Sequence, residues 1–241
     1  MSWTVERLPA VPTTMDVARL KAQQGGPDRW ALVADTMTGG RGTHGRPWHA
    51  PLGGLYTSFI LRDAAILRDP GLLTFALGNA VADVLEVAGV EPRLKWVNDV
   101  LVGDKKVAGI LVEAESTPSR IEFAVCGIGV NLNGHAKDFP AELRGAVTTL
   151  EDELHCDVCI PDLEGFLWQS VDKWLATLAT DPGQVVARWR ERDALRGRRV
   201  RVDSGKETTE GTAAGVDDAG HLLVETANGK RSFATGTVRL A

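Results

Sequence analysis

The sequence predicts an α/β domain followed by a small β-barrel, and three observations carry that expectation. Two long stretches repeat apolar residues at helical spacing: Leu73, Ala76, Leu77, Ala80, Val81, Val84 and Leu85, then Leu163, Phe166, Leu167, Val171, Trp174, Leu175 and Leu178. Between them lie apolar runs of strand length, Val107–Glu113 and Ile121–Val130, joined by a turn at Ser116-Thr117-Pro118-Ser119. From about Arg196 the texture changes to short β-rich pieces, Arg199–Val202, Glu210–Val216, His221–Glu225 and Arg231–Thr235. Glycine-bearing turns separate these pieces, and Asn228-Gly229 is a strong hairpin signal.

In chain order, Thr13-Thr14-Met15-Asp16 caps a short helix through Lys21. Trp30–Asp35 reads as a strand that ends before a glycine-rich loop. A turn at Pro51-Leu52-Gly53-Gly54 precedes the strand Leu55–Leu61. Asp69 is placed to cap the first long helix, Pro70 suits its first position, and Gly89 suits its end. Arg93-Leu94-Lys95-Trp96 starts another strand. Pro161-Asp162 opens the second long helix, and Gln184–Ala194 reads as a third.

Composition excludes several classes. The chain has 241 residues, 44% hydrophobic and 24% charged, enough for a core of ordinary size. A net charge of −5 lacks the basic balance of a nucleic-acid binder. The arginine-rich stretch from Arg188 to Arg201 is diluted by acids and lacks an aromatic platform, so it reads as a solvated face and a junction. Three cysteines favour a reducing, cytoplasmic setting. No signal peptide is evident at Met1–Ala10, and no apolar run approaches the roughly 20 residues of a membrane helix. His155-Cys156-Asp157-Val158-Cys159 has a metal or redox spacing, but without a second cysteine pair it does not read as a metal site.

The stretch Gly39-Gly40-Arg41-Gly42-Thr43-His44-Gly45-Arg46-Pro47-Trp48 is the most informative segment. Glycines allow close approach of backbone to a ligand, and arginines offer forked donors to phosphate and carboxylate. The spacing fits neither a P-loop nor a dinucleotide fingerprint. The alternatives are an anion-binding loop, with Trp48 stacking on a base, and a tight surface connection. Lys95 stands between Leu94 and Trp96 in an apolar strand; it is either a solvated charge or a cation for a developing phosphate charge. Asn98-Asp99 either orient that lysine, hold magnesium through oxygen, or serve only as turn residues. Gly109, Gly127 and Gly129 thin two strands so that a ligand can lie on them, or mark bulges.

Taken together, these segments resemble the biotin protein ligases of the biotin and lipoate ligase superfamily. The resemblance rests on Thr13-Thr14-Met15, on Gly40–Trp48, and on Lys95-Trp96-Val97-Asn98-Asp99 running to Lys105-Lys106-Val107-Ala108-Gly109-Ile110-Leu111-Val112-Glu113. Gly127-Ile128-Gly129-Val130-Asn131-Leu132 and the β-rich tail complete it. It implies an α+β fold with a mixed β-sheet and flanking helices, similar to class II synthetases, over residues 1–194. An SH3-like barrel is implied over 195–241. It also implies a two-step reaction with ATP and Mg²⁺: biotin becomes biotinyl-5′-AMP, then passes to a lysine of a biotin carboxyl carrier protein. A lipoate or octanoate ligase, or a biotin-binding homologue weak in catalysis, is the alternative.

By the same resemblance, Lys95 and Arg41 are catalytic. Biotin lies among Thr13, Thr14, Met15, Met37, Gly40, Arg41, Gly42, Thr43, Lys95, Gly109, Gly127 and Gly129. ATP meets Arg41, Arg46, Trp48, Lys95, Asn98 and Asn131, with Asp99 as a magnesium contact. The chain departs from the pattern at Met15, Met37, Thr43 and Val97, where the family usually has asparagine, glutamine, arginine and proline. The missing glutamine bears on a hydrogen bond to biotin's ureido ring, and the missing arginine on retention of the adenylate. The first motif begins at Thr13, so the expectation is the form without a winged helix, with no nucleic acid or membrane as partner. Relatives pair through sheet edges, so a monomer or a homodimer is expected.

Overall fold

The computed structural model describes residues 3–118 and 120–241; Ser119 of the expected turn, and Met1 and Ser2, lie outside the described residues. A seven-stranded sheet has the order β1-β2-β3-β7-β6-β5-β4. Its strands are β1 (Thr4–Val11), β2 (Trp30–Met37), β3 (Leu55–Leu61), β4 (Pro92–Lys95), β5 (Asp99–Val102), β6 (Lys105–Ser116) and β7 (Ile121–Val130). β1 runs parallel to β2 and the other neighbours are antiparallel, which makes the sheet mixed.

The helices divide between the two faces. On one lie α2 (Pro70–Val87), α4 (Ile160–Thr180) and α5 (Pro182–Glu191), all feeding the main core. Asp69 caps α2 by accepting from the Gly71 and Leu72 amides, and Pro70 occupies its first turn. α2 is long and apolar enough to cross a membrane, yet 67% of it is buried inside the protein; it is the core helix. α1 (Thr14–Gln23) covers part of the other face with a smaller cluster that includes Met15, Trp30, Leu32, Ile60 and Phe123. The short α3 (Leu150–Leu154) follows an irregular segment.

Because side chains alternate along a strand, that division sets which residues can meet a ligand. Gly127 stands opposite Ser58 on one side and Leu111 on the other; Gly129 stands between Tyr56 and Gly109. Together these glycines open a shallow floor on the α1 face.

The tail forms a second sheet from β8 (Arg199–Asp203), β9 (Thr208–Val216), β10 (Leu222–Thr226), β11 (Gly229–Phe233) and β12 (Thr237–Leu240). It is antiparallel with the order β11-β10-β9-β8-β12, an SH3-like unit. It packs back on the first sheet: the Trp96 indole N–H donates to the Gly220 carbonyl at 2.9 Å, and Arg190 donates to the Val216 carbonyl.

Candidate active site

A cavity of about 260 Å³ opens on the glycine floor. α1 supplies one wall. Thr13 caps that helix by accepting from the Met15 amide, which fixes Thr13, Thr14 and Met15 at the cavity's edge. The Met15 sulfur lies so close to Gly127 that a Cβ there would stand 2.7 Å from it. Ser58 donates to the Thr14 hydroxyl at 2.8 Å.

The arginine loop supplies the roof. It folds into a small hairpin: the Gly42 amide donates to the Arg46 carbonyl at 2.7 Å, and the Trp48 amide donates to the Gly40 carbonyl at 2.8 Å. Gly40 is required there, since a Cβ would meet the Trp48 carbonyl oxygen at 2.6 Å. The loop carries the Trp48 ring onto the floor, with its edge 2.8 Å from where a Cβ of Gly129 would sit and 3.0 Å from that of Gly109. Arg41 is held by Glu113 at 2.7 Å and by Asp16 at 2.6 Å. The bond to Glu113 holds its pKa above the usual guanidinium value despite partial burial. Arg46 folds onto Thr43, donating to its hydroxyl at 3.0 Å.

Two polar atoms at the Trp48 end are buried with no hydrogen-bond partner among the described residues: the Trp48 Nε1 and the Asn131 Oδ1. Such atoms are costly unless something completes them. The Asn131 amide nitrogen is already used on the Thr148 carbonyl, so its oxygen is the free end. Asn98 is committed differently, its side chain donating to the Ile110 carbonyl at 2.7 Å.

Most sequence-predicted residues converge here: Thr13, Thr14, Met15, Met37, Arg41, Gly42, Thr43, Arg46, Trp48, Asn98, Asp99, Gly109, Gly127, Gly129 and Asn131 line the cavity. Gly40 and Lys95 do not. Gly40 shapes the loop from behind. Lys95 pairs with Asp99 at 3.3 Å, next to the cavity lining rather than in it. The lysine that lines the cavity is Lys106, paired with the other oxygen of Asp99 and 5.1 Å from the Trp48 ring centroid. Burial pushes the Asp99 carboxyl up, but the two ammonium groups outweigh it and hold the group below the usual carboxylate range. Both oxygens of Asp99 thus carry a lysine ammonium.

A bulge explains Lys106. Leu101 pairs with Lys106 while Val100 pairs with Ala108, so Val107 is an extra residue. Val107 and Ala108 therefore both join the main core, and Lys106 turns to the cavity face. Ser58 also escaped notice, although a hydroxyl amid the apolar Leu55–Leu61 run was a usable signal. Phe139, Leu143 and Val147 close the far wall from an irregular segment that carries no pattern.

Outside the cavity, five arginines of the arginine-rich stretch are paired within the chain. Arg192 is buried with Asp83 and Glu86, Arg188 pairs with Glu86 and Glu191, Arg190 with Asp218, Arg198 with Asp104, and Arg201 with Glu210. Cys156 and Cys159 are free and exposed, and Cys126 is free and buried. Among the described residues no group of three or more His, Cys, Asp or Glu is placed to hold a metal.

Comparison with known proteins agrees with this geometry. The model of the "Biotin/lipoate A/B protein ligase family" matches residues 8–131, and that of the "Biotin protein ligase C terminal domain" matches residues 196–240. The biotin--[acetyl-CoA-carboxylase] ligase of Paracoccus denitrificans is 31% identical over 208 residues, covering 84% of this chain and 86% of that protein. The bifunctional ligase/repressor BirA of Bacillus subtilis is 31% identical over 231 residues, covering 95% of this chain and 71% of that protein. Among solved structures, the Aquifex aeolicus biotin protein ligase in complex with biotin and ATP superposes with a TM-score of 0.88 at 27% identity, covering 99% of both chains. The chain belongs to the biotin/lipoate A/B protein ligase family, among its biotin protein ligases.

Proposed function

We propose that the chain is an ATP-dependent biotin–protein ligase that makes biotinyl-5′-AMP and transfers the biotinyl group to a lysine of a biotin carboxyl carrier domain. The observation that carries this reading is one cavity joining a glycine floor, a cationic rim of Arg41, Arg46 and Lys106, and two unpaired buried polar atoms, the Trp48 indole nitrogen and the Asn131 side-chain oxygen.

The acid lies along Gly127 and Ser58, at the end lined by Thr14 and Met37. The adenine lies at the Trp48 end, where Asn131 Oδ1 accepts from an exocyclic amine. A carboxylate oxygen attacks the α-phosphorus; the bond to the β-phosphate breaks and pyrophosphate leaves. Lys106 and Arg41 stabilise the charge gathering on the α-phosphate, and preorganised cations in a partly enclosed site are effective in that role. Arg41 leaves its carboxylate partners to do so. The ε-amine of the carrier lysine then attacks the acyl carbon and AMP departs. The acyl adenylate is a mixed anhydride, so the roof formed by the arginine loop also keeps water away.

Magnesium arrives on the nucleotide's own phosphates, as is usual for this ion, since Asp99 is engaged by lysines. The free cysteines support a reducing, cytoplasmic setting, and the internally paired arginines support a role without nucleic acid. The test is incubation with ATP, Mg²⁺, biotin and a purified carrier domain. Intact-protein mass spectrometry is expected to show addition of one biotinyl group, with none when the carrier lysine is replaced by arginine. No ATP-dependent addition would refute the reading.

A further inference from the structure

Arg41 lines the cavity, but the two carboxylates that hold it do not. Its Nη1 donates to Glu113 Oε1 at 2.7 Å, and its Nη2 donates to Glu113 Oε2 at 3.3 Å and to Asp16 Oδ1 at 2.6 Å. Alternation along β6 puts Glu113 on the face of Gly109 and Leu111, past the end of the floor. The forked edge formed by Nη1 and Nη2, which suits a phosphate, is therefore spent at the rim. A nucleotide has to win it from Glu113.

A second cation on Glu113 makes that exchange possible. Arg19 of α1 donates to Glu113 Oε2, the oxygen that Arg41 reaches with its longer bond. A half-buried carboxylate stripped of its last partner is costly. Glu113 is spared that loss, because Arg19 stays with it when Arg41 departs. Asp16 is 62% exposed, so water takes the place of the guanidinium there.

We propose that Arg19 and Glu113 are positioning residues for adenylation: Glu113 parks Arg41 at the rim before the nucleotide arrives, and Arg19 keeps Glu113 paired when Arg41 swings to the α-phosphate. The proposal rests on the ligase reading above and adds a control on how strongly the site takes ATP. Only molecules with Arg41 released are ready for phosphate, so the apparent affinity is reduced by that fraction. Glu113 sets the reduction and Arg19 limits it. The two residues thus act on ATP affinity in opposite directions, although they belong to one ion-pair cluster.

Exchange of labelled pyrophosphate into ATP at saturating biotin gives kcat and the KM for ATP. Glu113→Gln keeps the shape and removes the charge. It is expected to lower the KM for ATP about two- to fivefold at unchanged kcat, the range open to ion pairs as exposed as these. Arg19→Ala is expected to raise that KM by about the same factor, and Arg19→Lys to restore it. In the double variant Arg19→Ala loses its effect, because no charged Glu113 remains to be stranded. A merely structural role predicts losses in one direction that add together, with lowered melting temperatures. A KM for ATP that fails to fall in Glu113→Gln overturns the proposal, as does Arg19→Ala acting equally with and without the Glu113 charge. Should Glu113→Gln fold poorly, Asp16→Asn loosens the same hold from its exposed side and is expected to lower the KM to a smaller extent. An unchanged or raised KM in that variant overturns the proposal in turn. If the unmodified protein exchanges no pyrophosphate, the ligase reading itself fails, which is a separate and recognisable outcome.

Discussion

At Gly129 the missing side chain is what lets the Trp48 ring rest on the sheet. A Cβ added there would sit 2.8 Å from two ring carbons and 3.0 Å from the indole nitrogen, closer than any stable contact. Gly109 on the neighbouring strand lies under the same ring, where an added Cβ would stand 3.0 Å from it. Gly129→Ala is therefore expected to lift the indole away and raise the KM for ATP about tenfold or more, a loss of about 1.4 kcal/mol. Far-UV circular dichroism should stay unchanged. An ATP KM equal to that of the unmodified protein would remove Trp48 from the nucleotide site. At this scale much of the site was legible, since the glycine loop and the two glycine strands carry unusual residues in a recognisable order. Lys106 was not. Strict alternation places it on the same face as Ala108, toward the main core, and only the extra residue at Val107 turns it around. A bulge is a property of the pairing between two strands, and nothing in the Lys105–Glu113 run alone announces it.

The elements were legible in proportion to their length and burial. α2 followed its apolar spacing to within two residues of the expected Gly89 end, and Leu73, Leu77 and Leu85 are fully buried in it. Leu77→Ala leaves a cavity where α2 meets the sheet, and should cost about 2–5 kcal/mol in urea unfolding at unchanged slope. A loss below about 1 kcal/mol would mean that this layer collapses around the gap or is loosely packed. β1 was missed because Glu6, Arg7 and Pro9 break its apolar pattern and nearly all of it is exposed at the sheet edge. β5 and α3 were missed because four and five residues carry too little periodicity. The third long helix was displaced by three residues: it ends at Glu191 because Arg192–Ala194 leaves to pair with β4.

That departure ties the two sheets together. The Leu94 amide donates to the Arg192 carbonyl at 2.7 Å, and the Ala194 amide returns to the Leu94 carbonyl at 2.9 Å. Between them Asp193 is buried. Its Oδ1 accepts from the Leu195 amide at 2.8 Å, while Oδ2 finds no partner among the described residues. Burial raises the Asp193 pKa above the usual carboxylate value. The sign follows from linkage: the folded protein holds this proton more tightly than the unfolded chain, so the contribution is full below the ordinary carboxylate pKa. It is lost as pH rises through the higher folded value. Asp193→Asn should therefore melt closer to the unmodified protein at low pH, and gain on it as pH rises toward neutrality. Melting curves that stay parallel across that range would show that Asp193 is solvated at the junction.

Lys106 lines the cavity and Lys95 does not, although both pair with Asp99, and one comparison of the two lysines tests the site. Biotin-dependent exchange of pyrophosphate into ATP should fall about 10²–10³-fold in Lys106→Ala, the loss expected on removing one preorganised charge from a developing oxyanion. Lys95→Ala should lose less, since Lys95 pairs with Asp99 and is not among the residues that line the cavity. Exchange unaffected by Lys106→Ala, or abolished by Lys95→Ala while Lys106→Ala remains active, would contradict the assignment of the cavity as the place where the acid and ATP react.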